Sequence, residues 1–320
     1  MGRMKLLNKF SSGNTQVEGY CIIKSVTLKS NVKGSDYLDL VLCDAGGEVD
    51  AKLWDYSVEQ HGQYYPDTVI KIRATINLWK DAEQLKIDRI RNLAADDNVD
   101  MAELVPCAPR PGQEMYDELF ATAENFTNAD LRMLTQYILR ENHEKLIKWP
   151  AALKLHHAVR AGLLYHTCTM LEGAKALCDV YGKLYPIDRE LVYAGIILHD
   201  ISKVDELVVG ELGLAGSYSK CGQLLGHISM GVANIERAAA ELMIDDETKL
   251  QVQHILLSHH NQPEFGSPRY PMFPEAQIVS ELDLIDSKLF EMYDALSAAK
   301  GGEFTERQWA LDNRQLYKKP

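Results

Sequence analysis

The chain has 320 residues, of which 46% are hydrophobic and 25% charged, a length and composition that predict two globular domains, or one large one, with ample core. No apolar stretch approaches the ~20 residues a membrane-spanning helix needs, and a net charge of −12 excludes a simple nucleic-acid-coating protein. The average conceals an asymmetry: residues 1–95 carry a net +1 and residues 96–320 a net −13, so the N-terminal third is the surface more tolerant of a polyanion.

The start, "MGRMKLLNKF", has neither a long apolar segment nor a small-residue cleavage site and does not read as a secretory signal. From about 16 to 92 the texture is that of strands: "VEGYCIIKSVTL", "YLDLVLCD", "VDAKLWD", "TVIKIRATINLW" and "EQLKIDRIRNL", several alternating apolar with polar residues. The turn signals "NVKGSD", "DAGGE", "YPD" and "KDAE" separate them. Five short strands in under 100 residues predict a small barrel or sandwich, with an OB-fold as one natural candidate. Residues 93–112 turn acidic and then proline-rich, as a linker does.

Beyond the linker the period becomes helical, in "QEMYDELFATAENF", "NADLRMLTQYILRENHEKLIKW", "HHAVRAGLLYHTCTMLEGAKALCDVYG", "DRELVYAGIILHD", "LLGHISMGVANIERAAAELM", "DETKLQVQHILLSHH" and "PEAQIVSELDLIDSKLFEMYDAL". Asn128 or Asp130, Asp188 and Asp245 are the expected N-caps. The expectation is an α+β two-domain protein: an OB-fold over 1–95, a linker and connecting helix over 96–125, an all-α domain over 126–298 and a tail over 299–320. Six cysteines without a C-x-x-C pair fit reduced thiols, and the chain reads as cytoplasmic.

Eight of the ten histidines fall between 156 and 260. "AGIILHDISKVDEL" is the sharpest case, an apolar run ending in His199 and Asp200 with Lys203 one turn on. One reading is a cap, in which Asp and Ser end the element and His satisfies a carbonyl. The other is a metal site. Neutral imidazole and carboxylate suit Mn, Fe, Co, Ni or Zn, and a His–Asp mixture without Cys argues against a structural zinc clamp. Near a helix end Asp200 can offer one oxygen to each of two ions ~3.5–4 Å apart, a clamp suited to phosphoryl transfer. Lys203 on the same face could hold a phosphate oxygen.

"GLLYHT", "LHDISK", "GQLLGHI", "LSHH" and "LDLIDSK" resemble the successive motifs of the HD superfamily of metal-dependent phosphohydrolases. With "YLDLVLCDAGGEVDAKLWD" and "LSHHNQPEFGSPRYPMFPEA" the chain resembles, over about 16–295, the YhaM-type 3′–5′ exoribonucleases, which join an OB-fold to an HD domain. The resemblance implies two divalent ions of the manganese class. It assigns the first to His166, His199, Asp200 and Asp283, and the second to His227 and the pair His259/His260 with Asp200 bridging; His259 is favoured over His260. His157 is expected to support the site or touch substrate, with a packing role as the alternative, and His254 falls outside the pattern. Ser202 and Ser280 stand where family members often carry Gly and His. Asp286 matches a recurrent carboxylate that is either an orienter of a His or a solvated helix residue.

For the barrel, Tyr37, Trp54 and Trp79 with Lys52, Lys80 and Lys86 are the parts available for stacking bases and tracking a backbone, against the alternative that they are core. Trp54 is the leading choice. Arg269 in "GSPRYP" could reach the scissile phosphate; the alternative is a proline-stiffened loop that only closes the bundle. The expected activity is hydrolysis of single-stranded RNA, and of single-stranded DNA as a further substrate, from the 3′ end to nucleoside 5′-monophosphates through a metal-activated water, with Asp200 and Lys203 catalytic. The expected partners include no membrane, and a homo-oligomer is compatible. The alternatives are a phosphohydrolase of nucleotides or cyclic dinucleotides, and a non-catalytic single-strand-binding protein.

Overall fold

The computed structural model describes residues 4–8, 16–32, 34–79, 82–153, 156–262 and 266–320. Two compact units result, Met1–Cys107 with Gly210–Leu212, and Ala108–Val209 with Gly213–Pro320.

In the first unit a helical turn, α1 (Lys5–Asn8), precedes β1 (Gln16–Ser30), β2 (Asp36–Asp44) and β3 (Gly47–Leu53). A second short turn, α2 (Val58–His61), leads into β4 (Val69–Trp79) and β5 (Ala82–Asn92), and α3 (Met101–Leu104) follows. The strands close in the order β1-β2-β3-β5-β4, an OB-type barrel. Closure depends on the length of β1. Its first half pairs with β4 (Gln16↔Thr75 to Ile22↔Val69), and from Ile22 onward, with an irregularity between Ile23 and Ser25, it pairs with β2. The bend lets one strand serve two neighbours. β3 meets β5 in parallel, with Lys52 opposite Lys86. The alternation read in the sequence is the pleat: Leu38, Leu40 and Leu42 of β2 point inward with Val49, Ala51 and Leu53 of β3. Asp44 ends β2 and accepts the backbone N–H of Lys5 and Leu6 at 2.9 and 2.8 Å, which holds α1 with Met4, Leu6 and Leu7 buried.

The second unit packs α4 (Gly112–Glu124), α5 (Ala129–Leu146), α6 (Gly162–Tyr181), α7 (Arg189–Leu198), the turn α8 (Lys203–Glu206), α9 (Lys220–Leu242), α10 (Asp246–Ser258) and α11 (Pro274–Ser297) around one apolar core. Between α8 and α9 runs a hairpin, β6 (Leu207–Val209) with β7 (Ala215–Tyr218), that helical periodicity does not announce. The caps sit where short polar side chains precede apolar runs. Asn128 accepts from Asp130 and Leu131 N–H, Asp188 from Leu191, and Asp245 from Glu247 and Thr248. Each contributes about 1 kcal/mol. Of the two alternatives at the start of α5, Asn128 is the cap.

Sequence and structure part at 156–161. The apolar pattern predicts helix from His156, yet α6 begins at Gly162, because His157 (φ 54°) and Ala161 (φ 59°) adopt left-handed backbone. The His157 carbonyl accepts from Ala151 N–H across the loop and so leaves the helical ladder. Among the described residues no helix is long and apolar enough to cross a membrane.

Candidate metal centre

Five elements of the helical unit direct polar side chains to one buried point. α7 is the central one. Its apolar face is buried from Leu191 to Leu198, and Gly195 lets neighbouring helices come close: a Cβ there would sit 2.9 Å from Ile255 of α10 and 3.2 Å from Val279 of α11. Straight after it come His199 and Asp200, 1% and 2% exposed.

His199 is the C-cap of α7, where the last carbonyls lack helical partners. Its Nδ1–H donates to Ile196 O at 2.8 Å, which leaves Nε2 to face Asp200 Oδ2 at 3.4 Å. His259, the C-cap of α10, repeats this: Nδ1–H donates to Leu256 O at 2.7 Å, and Nε2 lies 3.7 Å from Asp200 Oδ1. His166, one turn into α6, donates Nδ1–H to Asp286 Oδ2 at 2.7 Å and sets Nε2 3.3 Å from Asp283 Oδ1 and 3.8 Å from Asp200 Oδ2.

His227 needs a break in its helix. Gly226 within α9 has φ 71° and ψ 159°, a left-handed conformation suited to glycine. The helix restarts at His227, whose freed backbone N–H donates to Glu206 Oε1 at 3.0 Å. Its ring Nδ1 lies 3.1 Å from both Glu206 oxygens, and Nε2 is 3.2 Å from Asp200 Oδ1.

In all four rings the acceptor at Nδ1 fixes the tautomer and leaves the Nε2 lone pair pointing inward. Those four Nε2 atoms and Asp200 Oδ1 are buried without a hydrogen-bond partner. Burying five such atoms bare costs several kcal/mol, and a cation among them removes that cost. The two carboxylate oxygens divide the rings, Oδ1 facing His227 and His259, Oδ2 facing His166 and His199. Two groups able to hold an ion therefore share Asp200: His166 with His199, and His227 with His259 and His260. A third group, His157, His166 and Asp286, is knit by hydrogen bonds instead. There Asp286 Oδ2 accepts from His157 Nε2 at 2.8 Å as well as from His166, while Oδ1 accepts from Thr169 at 2.6 Å.

The electrostatics favour positive charge. Burial alone would lower the pKa of His166, but Asp283, Asp286 and Asp200 raise it to about 9. Burial would raise Asp200, yet the Lys203 ammonium and the His199 ring hold it well below the carboxylate range. Glu206 is likewise lowered, against burial, by its hydrogen bonds to His227. His156, deprived of water and near Lys203, falls to about 3 and stays neutral.

The structure thus brings together His166, His199, Asp200, His227, His259, His260 and Asp283. Lys203 is buried with Nζ 2.6 Å from Asp200 Oδ2. His157 is 2% exposed and turned to Asp286. Arg269 is exposed and does not line the cleft over the centre; its loop reaches the histidines through Ser267, whose Oγ accepts His260 N–H at 3.0 Å. Ser202 and Ser280 are buried, the former accepting from Asn234 at 3.1 Å. His254 accepts Met272 N–H at 3.0 Å. Sequence reasoning overlooked Glu206, Gly226, Thr169 and His156. The one available signal for Glu206 was its place four residues before Gly210 in "LHDISKVDELVVG", which carries no period that marks a ligand's partner.

In the barrel, the Tyr37 and Trp54 rings lie 4.6 Å apart and tilted 31°, with Lys52 Nζ 5.3 and 5.5 Å from their centroids. Trp54 is 39% exposed, and Lys86 is exposed on the neighbouring strand. The Trp79 side chain and Lys80 lie outside the described residues.

A family model described as HD domain matches residues 163–288. The chain is 41% identical over 303 residues to the 3′-5′ exoribonuclease YhaM of Bacillus licheniformis and 40% identical to that of Bacillus subtilis, covering 95% of this chain and 95% of each relative. The YhaM of a Geobacillus species is 40% identical, with 95% and 92% covered. Among solved structures, the second OB-fold domain of replication protein A from Methanococcus maripaludis is 12% identical, with a TM-score of 0.20, covering 25% of this chain and 84% of that one.

Proposed function

This chain belongs to the YhaM 3′–5′ exoribonuclease family, and from that premise we propose that it shortens single-stranded RNA from the 3′ end, releasing nucleoside 5′-monophosphates, with single-stranded DNA as a second substrate. The observation that carries the reading is the set of bare inward atoms, four imidazole Nε2 and Asp200 Oδ1, around one point. Divalent ions held there would lower the pKa of water and stabilise charge on phosphate oxygens. Nitrogen and carboxylate donors without thiolate fit manganese, and also cobalt, iron, nickel or zinc.

The protein's own residues supply orientation and charge. His166, His199, Asp200 and Asp283 make one ligand set, and His227, His259 and His260 with Asp200 make the other. Glu206 and Asp286 hold His227 and His166 in the tautomer that offers Nε2. Lys203 balances Asp200 and leaves its second oxygen to the opposite rings. His157 stiffens Asp286 from the other side. Arg269, exposed on its loop, is assigned to the RNA backbone. On the barrel, Tyr37 and Trp54 stack bases, and Lys52 and Lys86 attract phosphates, a combination typical of single-strand sites. Among the described residues no disulfide joins the cysteines, which suits a reducing cytoplasm.

The test is Asp200→Ala assayed on a 3′-labelled single-stranded RNA with one blocked terminus. Hydrolysis should be lost while RNA binding persists. Turnover at the wild-type rate would refute the assignment, and hydrolysis of free nucleotides in place of RNA would show that the substrate class is wrong.

A further inference from the structure

A cleft of about 470 Å³ opens over the centre, between His260 and Asp283 on one side and Leu284 and Lys288 of α11 on another. Ala310, Leu311 and Asp312, from the C-terminal segment, also line it, with His156 and Glu291 among the other lining residues. That segment is a built hairpin. Gly302 N–H donates to Lys318 O at 2.8 Å, Thr305 N–H to Leu316 O at 2.8 Å and Gln308 N–H to Arg314 O at 2.9 Å. Asp312 (φ 56°) and Asn313 (φ 55°) turn the chain in left-handed backbone, which short polar residues tolerate best. Leu311, 1% exposed, and Leu316, 6% exposed, pin it down, and Lys318 Nζ donates to Ala299 O near the end of α11 at 2.8 Å.

We propose that this hairpin, residues 301–318, is the outer wall of the substrate cleft, and that Ala310 and Asp312 are specificity-determining residues that restrict the centre to one unpaired terminal nucleotide. Small-molecule pockets span ~300–1,000 Å³, and a cleft in the lower half of that range takes a single nucleotide and not a paired strand. Leu311 is the anchor, Ala310 the small residue that leaves room for the nucleotide, and Asp312 a carboxylate at the wall that, only loosely paired with the exposed Arg314 at 3.5 Å, disfavours a second phosphate. The inference rests on the RNA-hydrolase reading above.

The test uses the full chain loaded with Mn²⁺. Ala310→Trp, at a half-buried position, fills the cleft. KM for single-stranded RNA should rise at least tenfold, with a smaller change in kcat and the same Mn²⁺ affinity. An unchanged KM overturns the proposal. Should that variant fail to fold, Asp312→Asn decides, since Asn keeps the turn and removes the charge. KM should fall about threefold at low salt and by less at high salt, and no change overturns the wall. Wild-type protein that binds Mn²⁺ but leaves RNA intact defeats the exoribonuclease reading and this proposal with it. Wild-type turnover with an indifferent Ala310→Trp defeats the wall alone.

Discussion

His199 and His259 end two different helices in the same pose, each spending Nδ1–H on the carbonyl three residues back and turning Nε2 to the opposite oxygens of Asp200, with ring centroids 5.0 Å apart. A helix end leaves carbonyls without partners, and here that deficit orients a ligand. The cap reading of the His–Asp couplet therefore holds for Nδ1 of each ring, and it leaves Nε2 free for the proposed metal.

Glu206 is the residue whose loss should separate orientation from ligation. Glu206→Gln keeps the volume but weakens the hold on the His227 ring and backbone. Changes to such supporting partners cost roughly 10–100-fold in metal affinity, and isothermal titration with Mn²⁺ checks this. Equal affinity in the variant would show that His227 needs no such support.

Removing metal should destabilise the fold as well as silence it, because any ligand of the native state alone adds RT ln(1 + [L]/Kd), about 2.7 kcal/mol at a hundredfold excess over Kd. Chelated protein should melt at a lower temperature and recover with added Mn²⁺. The same melting point in both forms would count against a centre inside the helical core.

The metal-free protein has a predictable pH response from His166. Its pKa is raised from 6.5 to about 9, so between those values the native state holds a proton that the unfolded chain has released. That contribution is complete below about 6.5 and disappears as pH climbs through about 9. Denaturant melts of chelated protein should weaken across this window. Metal must displace the same proton, so Mn²⁺ affinity should increase over the same range. An affinity flat from pH 6.5 to 9 would contradict it.

Trp54→Ala tests the barrel. A stacked base is worth ~1–3 kcal/mol, so RNA affinity should fall roughly five- to hundredfold, with Mn²⁺ affinity untouched. Fluorescence anisotropy on a chelated sample reads binding without turnover. Unaltered anisotropy would leave the Tyr37–Trp54 pair as a packing contact.

The sequence by itself determined the barrel strands, through alternation in "YLDLVLCD" and "VDAKLWD", and the caps Asn128, Asp188 and Asp245, because these depend on neighbours a few residues away. Its spaced motifs also named the histidines that the fold brings together, since such motifs record residue type. Only the tertiary structure decided which nitrogen each ring offers and what holds it. Asp286 and His166 are 120 positions apart, and Glu206 and His227 meet because Gly226 breaks a helix whose period runs on undisturbed. It also decided that residues 310–312 line the same cleft as Asp283. Periodicity reports which face of an element is apolar, whereas the direction of a buried polar side chain is set by whichever distant element packs against it.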